Sequence, residues 1–299
     1  MNLAKSHMAL IGANLIYGLN YTIAKGIMPD YMSPRGIIFF RVLGAIIVFN
    51  LIHILFIKEK IERKDLLRFA ACGLFGVAIN QILFFEGLNL TTPIKASLIM
   101  TTGPIFVLLF SSFLLKEKIN LSKLIGIFLG TTGACILILL SGNLSLTLNT
   151  STGNLLVFIN CISYALYLVL AKPIMVKYKP ITVMRWVFNF GFIYIIPFCI
   201  QPVLETNFEV IPSNIWLSIL YVVLGTTILA YLLNNYALKT LSPIISSSYM
   251  YSQPAIAAIV SIIYLHEQIT IVKVTAAVLI FLGLYFVSIR KDKRRVNVL

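Results

Sequence analysis

The sequence predicts an all-α integral membrane protein: ten transmembrane helices arranged as two inverted five-helix repeats. Three observations carry that prediction. Hydrophobic residues make up 59% of the chain, charged residues 11%, and mean hydropathy is +0.95. A soluble domain has roughly 25% charged residues, so this chain has too little polar surface to cover itself in water. The apolar residues fall into runs of membrane-spanning length. One long stretch also occurs twice: Pro93 to Gly133 reappears as Pro243 to Gly283 at a shift of 150 residues with no gap. That register matches Ser97 with Ser247, Met100 with Met250, Pro104 with Pro254, Ser111 with Ser261, Glu117 with Glu267 and Lys123 with Lys273. Self-similarity at a fixed offset is evidence of repeat architecture.

A bilayer core takes about 20 apolar residues per helix. On that ruler the spans are 8–27, 35–57, 67–88, 94–115, 121–140, 153–172, 182–203, 214–237, 244–265 and 271–289. The first run, from Met8, is too long for a signal-peptide core and has no A-x-A-like end, so it is read as an uncleaved span. Ser33-Pro34, Thr92-Pro93 and Ser242-Pro243 each set a capping hydroxyl before a proline at the first helical position. Asn120 and Thr270 are matched caps for spans five and ten. A Ser/Thr/Asn/Gly-rich connector at about 141–152 divides the chain into repeat units 1–145 and 146–299, the second ending in a basic tail.

The repeat reaches beyond that stretch. Ala24-Lys25 matches Ala171-Lys172, Tyr17 matches Tyr164, and Arg41 matches Arg185. Five helices per half is an odd number, so the second copy must enter the membrane from the opposite side. With a cytoplasmic N-terminus the inner side collects Lys5, Lys58, Lys60, Arg63, Lys64, Arg68, Lys116, Lys118, Lys123, Lys172, Lys177, Lys179, Arg185, Lys239 and the five basic residues of 290–295. The outer side keeps Lys25, Arg35, Arg41, Lys95 and Lys273, a split of 19 to 5 among the 24 basic residues. The positive-inside rule therefore predicts a multi-pass cell-membrane protein with both termini cytoplasmic. Short basic loops facing lipid headgroups account for the net charge of +14, and a nucleic-acid partner is not expected.

Chemistry-bearing residues are few. Cys72, Cys135, Cys161 and Cys199 lie in apolar runs without a CxxC pair, so they read as packing residues. His7, His53 and His266 are scattered near span ends, and no metal, cofactor or catalytic set is expected. No P-loop, Gly-x-Ser-x-Gly or His-Glu-x-x-His motif supports ATP drive or hydrolysis. Polar side chains at membrane depth face a cavity or another helix. Span one offers Asn14, Tyr17, Asn20 and Tyr21, span three Asn80 and Gln81, span four Thr101 and Thr102. Span six offers Asn160, Tyr164 and Tyr167, span eight Asn234 and Asn235. Span nine is richest, with Ser246, Ser247, Ser248, Tyr249, Tyr251, Ser252 and Gln253. The expected cavity residues are Tyr17, Asn20, Tyr21, Asn80, Thr101, Thr102, Tyr164, Tyr167, Asn234, Tyr251 and Gln253.

Pro104 and Pro254 are the expected hinges, because a mid-helix proline removes one hydrogen bond and clashes with the carbonyl four residues back, here Met100 and Met250. Glu86 and Lys95 face each other across a tight turn. They read as a local ion pair, with substrate or proton work as the alternative. Arg41, inside span two, either binds a substrate carboxylate or snorkels outward. Gly73-xx-Gly76 and Gly126-xxx-Gly130 with Gly133 permit close helix contact, within the chain or in a dimer.

These residues resemble the drug/metabolite transporter superfamily, in particular its EamA-type members, over about 8–289. The resemblance rests on the small-polar span one ending in Lys25 and on Ser33-Pro34 followed by Arg41. It rests further on LNLTTPIKASLIMTTGPIFVLLFSSFLLKEKI with its later copy, and on the pairs Pro104…Glu117 and Pro254…Glu267. It implies alternating-access carriage of small metabolites, often outward, through a central cavity lined by both halves. Relatives export amino acids or other metabolites, and more distant ones carry nucleotide sugars or triose phosphates on basic cavity residues. The few Lys and Arg at mid-membrane here count against a heavily phosphorylated substrate. Glu86 and Lys95 occupy positions commonly small or apolar in that family. The expected function is a secondary transporter exporting small metabolites such as amino acids. Efflux of drugs or toxic compounds is the alternative within the class, and a membrane-embedded enzyme or sensor the alternative outside it. The expected partners are a small-molecule substrate and the bilayer, with monomer and homodimer both open.

Overall fold

The computed structural model describes residues 3–141, 151–256 and 270–288. Among them every regular element is helical. We number the spans α1 (Leu3–Ile27), α2 (Pro34–Ile57), α3 (Arg63–Leu90), α4 (Pro93–Met100 continuing as Gly103–Leu114) and α5 (Leu121–Ser141). The second half supplies α6 (Ser151–Lys177), α7 (Pro180–Leu204), α8 (Ser213–Thr240), α9 (from Pro243) and α10 (Ile271–Ser288). Six of these, α2, α3, α4, α6, α7 and α8, have both the length and the apolarity to cross a bilayer. Leu67, Phe113 and Leu204 are 82%, 81% and 79% exposed, which only a lipid surround makes tolerable. The chain is a multi-pass membrane protein. The connector at 142–150, residues 257–269 with His266 and Glu267, and the basic tail lie outside the described residues.

The sequence caps sit where the proline signals place them. Ser33 Oγ accepts from the Gly36 N–H at 3.1 Å, Thr92 Oγ1 from Lys95 at 3.3 Å and Ser242 Oγ from Ile245 at 3.4 Å. Asn120 Oδ1 accepts from Lys123 at 2.9 Å. The interruptions fall where a mid-helix proline puts them, in the turn between it and the carbonyl four residues back. α4 breaks at Thr101–Thr102, and Pro104 sits in the first turn of the second segment, where its missing N–H costs nothing. Thr101 Oγ1 and Thr102 Oγ1 donate to the Leu98 and Ile99 carbonyls at 2.6 and 2.7 Å. α9 repeats the device: its helix tightens to a 3₁₀ turn at Tyr249–Tyr251 just before Pro254, and Ser252 Oγ donates to Tyr249 O at 2.6 Å. Each interruption lies in the turn before its proline, where the ring would meet the carbonyl of Met100 or Met250.

The halves interlock. α1 packs on α8, α3 on α6, α2 on α7 and α5 on α10. The glycines set the closest of these crossings. A Cβ on Gly283 would lie 2.6 Å from Gly130 N, and one on Gly126 would lie 2.7 Å from Gly283 O, so the Gly126/Gly130/Gly133 stripe is used inside the chain. Two lysines perform matched tasks. Lys25 Nζ donates to Leu88 O and Asn89 O at 3.1 and 2.6 Å, closing the α3 end. Lys172 Nζ donates to Leu238 O, Lys239 O and Leu241 O at 2.7, 3.3 and 2.8 Å, closing the α8 end. Each ammonium satisfies orphan C-terminal carbonyls that lipid would leave bare.

Candidate functional site

At the centre of the helices lies a cavity walled by α1, α2, α3, α4, α6, α8 and α9. It leaves about 80 Å³ open to water-sized molecules. A single water needs about 10–15 Å³ on that measure, so there is room for several waters or one small solute. Two matched features deliver residues to its wall. α3 and α8 each contain a π-helical turn, Leu74–Ala78 and Tyr221–Leu229. A π turn inserts one residue and rotates the helix beyond it. Gln81 and Tyr231, related by the 150-residue shift, come just after these turns and both line the cavity. Met100 and Met250, a matched pair at the helix interruptions, also face it.

Of the residues expected there, Tyr17, Asn20, Tyr21, Asn80, Tyr164, Asn234 and Gln253 line the cavity. Tyr21 OH donates to Gln253 Oε1 at 3.1 Å, and Gln253 Nε2 donates to Asn14 Oδ1 at 2.8 Å, which ties α1 to α9. Asn234 Nδ2 donates to Tyr164 OH at 2.5 Å, and Asn160 Nδ2 to Asn80 O at 2.6 Å. Four expected residues are not on the wall. Tyr167 is wedged against Gly76 and donates to Asn235 Oδ1 at 2.8 Å. Tyr251 is wedged against Gly130, its hydroxyl bonded to Ile127 O at 3.3 Å and to Thr131 Oγ1 at 3.0 Å. Thr101 and Thr102 commit their hydroxyls to the helix break. In each case a glycine hole or a freed carbonyl nearby claims the side chain.

The charged residues separate. Glu86 accepts from Arg35 Nε at 2.6 Å on a partly exposed face, so Arg35 takes the carboxylate that hairpin geometry assigns to Lys95. Lys95 is buried near the start of α4 and is not on the cavity wall. Glu117 pairs with Lys123 at 2.7 Å. Arg41 is 4% exposed and does not snorkel out: it faces the cavity with its guanidinium over the Phe85 ring, 4.6 Å from the centroid. Among the described residues no Asp or Glu lines the cavity, and no His/Cys/Asp/Glu group is arranged to hold a metal. Sequence reasoning missed Tyr231, Phe84 and Phe85, because an aromatic in an apolar run has no signature of which way it faces. Tyr231 OH donates to Gly76 O at 3.0 Å and to Asn80 Oδ1 at 3.3 Å, and its ring meets Tyr17 edge-on.

Ten buried side-chain N or O atoms lack a hydrogen-bond partner of good geometry among the described residues. Seven of them line this one cavity: Tyr17 OH, Asn20 Oδ1, Arg41 Nε, both amide atoms of Gln81, Asn160 Oδ1 and Ser246 Oγ. Buried polar atoms are normally paired. Such a concentration marks a place where solvent or a solute completes the bonding.

The structure is a helical membrane protein with a polar central cavity lined from both halves of the chain, and comparison with known proteins gives its family. The model of the EamA-like transporter family matches twice, over residues 4–139 and 151–289. The chain belongs to the EamA-like transporter family. It is 27% identical to "Uncharacterized transporter YyaM" of Bacillus subtilis over 94% of this chain and 93% of that protein. It is 28% identical to an "Uncharacterized transporter" of Archaeoglobus fulgidus over 91% and 94%. It is 24% identical to "WAT1-related protein At5g13670" of Arabidopsis thaliana over 97% and 85%. A solved crystal structure shares the fold at a TM-score of 0.73 and 17% identity, covering 95% of this chain and 96% of that one.

Proposed function

We propose that the chain is a secondary transporter that carries small metabolites, amino acids among the candidates, outward across the cell membrane by alternating access between two inverted halves, with both termini cytoplasmic. The observation that carries this reading is the set of unpartnered polar atoms gathered in the central cavity. A structural core would have paired them or replaced them with apolar groups. Its lining comes from both halves, as a site exposed first to one side and then to the other requires. Family membership and the mid-helix breaks of α4 and α9 support the same reading. The modest free volume favours small metabolites over bulky drugs.

Counterflow tests it. Purified protein in liposomes preloaded with pooled amino acids and small metabolites should exchange labelled members of the pool. Asn20→Ala or Gln81→Ala should reduce that exchange tenfold or more while leaving helicity unchanged. Absence of flux for every pool would remove the transporter reading.

A further inference from the structure

Arg185 in α7 is the comparison for Arg41 in α2. Counted from the prolines that open the two helices, Arg185 lies two residues nearer its helix start than Arg41 does, and the two are treated differently. Arg185 is braced: Nε donates to Asn50 Oδ1 at 2.8 Å, Nη1 lies 2.8 Å from His53 Nδ1, and the guanidinium sits 5.6 Å from the Trp186 ring centroid. Asn50 is held in turn by Asn189 at 3.0 Å, and His53 by Glu59 O at 3.0 Å. Arg41 has only the Phe85 ring against one face, its Nε is buried and unpartnered, and no described residue of the wall supplies an anion. A guanidinium keeps its charge and its planar fork of donors. A buried charge without a counter-ion is costly, and in membranes such a residue marks a substrate path.

We propose that Arg41 is the anion anchor of the cavity and that the substrate is a small organic acid carried as a monoanion, its carboxylate docked on that guanidinium. This rests on the transporter reading and narrows its substrate class. The carboxylate would meet the fork edge-on, the bidentate geometry for which arginine is suited. Gln81 Nε2 and Tyr17 OH, both on the same wall without a hydrogen bond of good geometry, are further donors for its oxygens. The single charge comes from the lining. Arg41 is the one charged residue among the described wall residues, so a dianion would leave one negative charge uncompensated. A zwitterion would bring its ammonium beside the Arg41 charge with no carboxylate among the described wall residues to offset the repulsion. Cations are repelled. The rest of the substrate then lies against Phe84, Tyr21, Tyr164 and Leu168, an apolar surround for a short carbon skeleton.

The test uses thermal stabilisation of the purified full-length protein by matched probes. The acids are 3-methylbutanoate, 4-methylpentanoate and 3-phenylpropionate. Each is compared with its neutral amide, its amine, and the corresponding amino acid: valine, leucine or phenylalanine. At least one acid should raise the melting temperature in a saturable way, with its amide, amine and amino acid at least tenfold weaker. Arg41→Gln should weaken the acid at least tenfold, and Arg41→Lys should restore part of the loss. Arg185→Gln should leave the acid's apparent affinity within twofold, whatever it does to the unliganded melting point. Protection by amides or amino acids equal to that by the acid would overturn the proposal. So would unchanged acid binding in a folded Arg41→Gln protein, or no protection by any acid. Should Arg41→Gln fail to fold, Arg41→Lys with the acid/amide ratio decides instead, since a point-charge ammonium lowers that ratio only if the site reads the anion. Counterflow of neutral or zwitterionic pools without acid binding would sink this inference and leave the transporter reading standing. Absence of all flux sinks the reading beneath it.

Discussion

At the scale of single residues, what decides a side chain's role is whether a partner lies within reach. Tyr17 and Tyr251 are both membrane tyrosines on polar faces. Tyr251 finds a glycine hole and two acceptors, while Tyr17 finds the cavity wall, with the Tyr231 ring edge-on and no hydrogen bond of good geometry. Gly283 is the sharpest packing test, because the Gly130 backbone occupies the space a Cβ would take. Gly283→Ala should destabilise the protein by about 1–3 kcal/mol, the usual cost of overpacking, read as a lower unfolding midpoint in detergent. Tyr231→Phe removes one donor shared by Gly76 O and Asn80 Oδ1 and should cost about 1–2 kcal/mol in the same measurement.

At the scale of elements, the caps, breaks and clamps recur in matched pairs because each answers the same problem, a bare backbone group in lipid. Lys172 closes three carbonyls and Lys25 two, and hydrogen bonds to charged groups contribute about 1.5–3 kcal/mol. Lys172→Met should therefore lower the unfolding midpoint more than Lys25→Met. Both should expose the C-terminal end of the partner helix to faster amide exchange, by mass spectrometry, at residues 238–241 and 88–90 respectively. An equal loss in both variants would count against carbonyl capping as their task. The two prolines carry a different expectation. Pro104 sits in a helical first turn, so Pro104→Ala should leave the fold intact. If the Thr101–Thr102 break is a hinge, the same variant should slow counterflow several-fold by letting the two segments of α4 join.

At the scale of the molecule, contacts between the halves gather at the face that holds the start of α1. Ser6 Oγ lies 2.6 Å from Thr240 Oγ1, Lys177 Nζ bonds Glu62 and Asp65 at 2.5 and 2.6 Å, and the Lys179 N–H donates to Glu59 at 3.0 Å. A disulfide between Ser6→Cys and Thr240→Cys in a background lacking the native cysteines should stop counterflow, and reductant should restore it. Persistent flux with the bridge formed would count against relative motion of the halves at this face. The ammonium groups of Lys177 and Lys64 hold the Glu62 carboxyl below the usual glutamate range. A depressed folded value stabilises this face above the ordinary glutamate pKa and loses that effect as pH falls through the lower one. Amide exchange at residues 59–62, corrected for the intrinsic pH dependence of exchange, should thus hold steady down to mildly acidic pH and rise only below it.

The membrane class, the ten apolar runs, the caps before Pro34, Pro93 and Pro243, and the offset that pairs the halves were all legible in the chain of residues, because they are properties of local composition and spacing. So were most of the polar side chains that reach the cavity, since a polar residue in lipid has few other places to go. Which of them face inward was left to tertiary structure. The π turns of α3 and α8 re-aim Gln81 and Tyr231, glycine holes withdraw Tyr167 and Tyr251, and Arg35 takes Glu86. Arg41 and Arg185 are the clearest case. Each is a lone arginine inside an apolar run, and only the neighbours that packing brought or withheld made Arg185 a braced structural charge and Arg41 an open one.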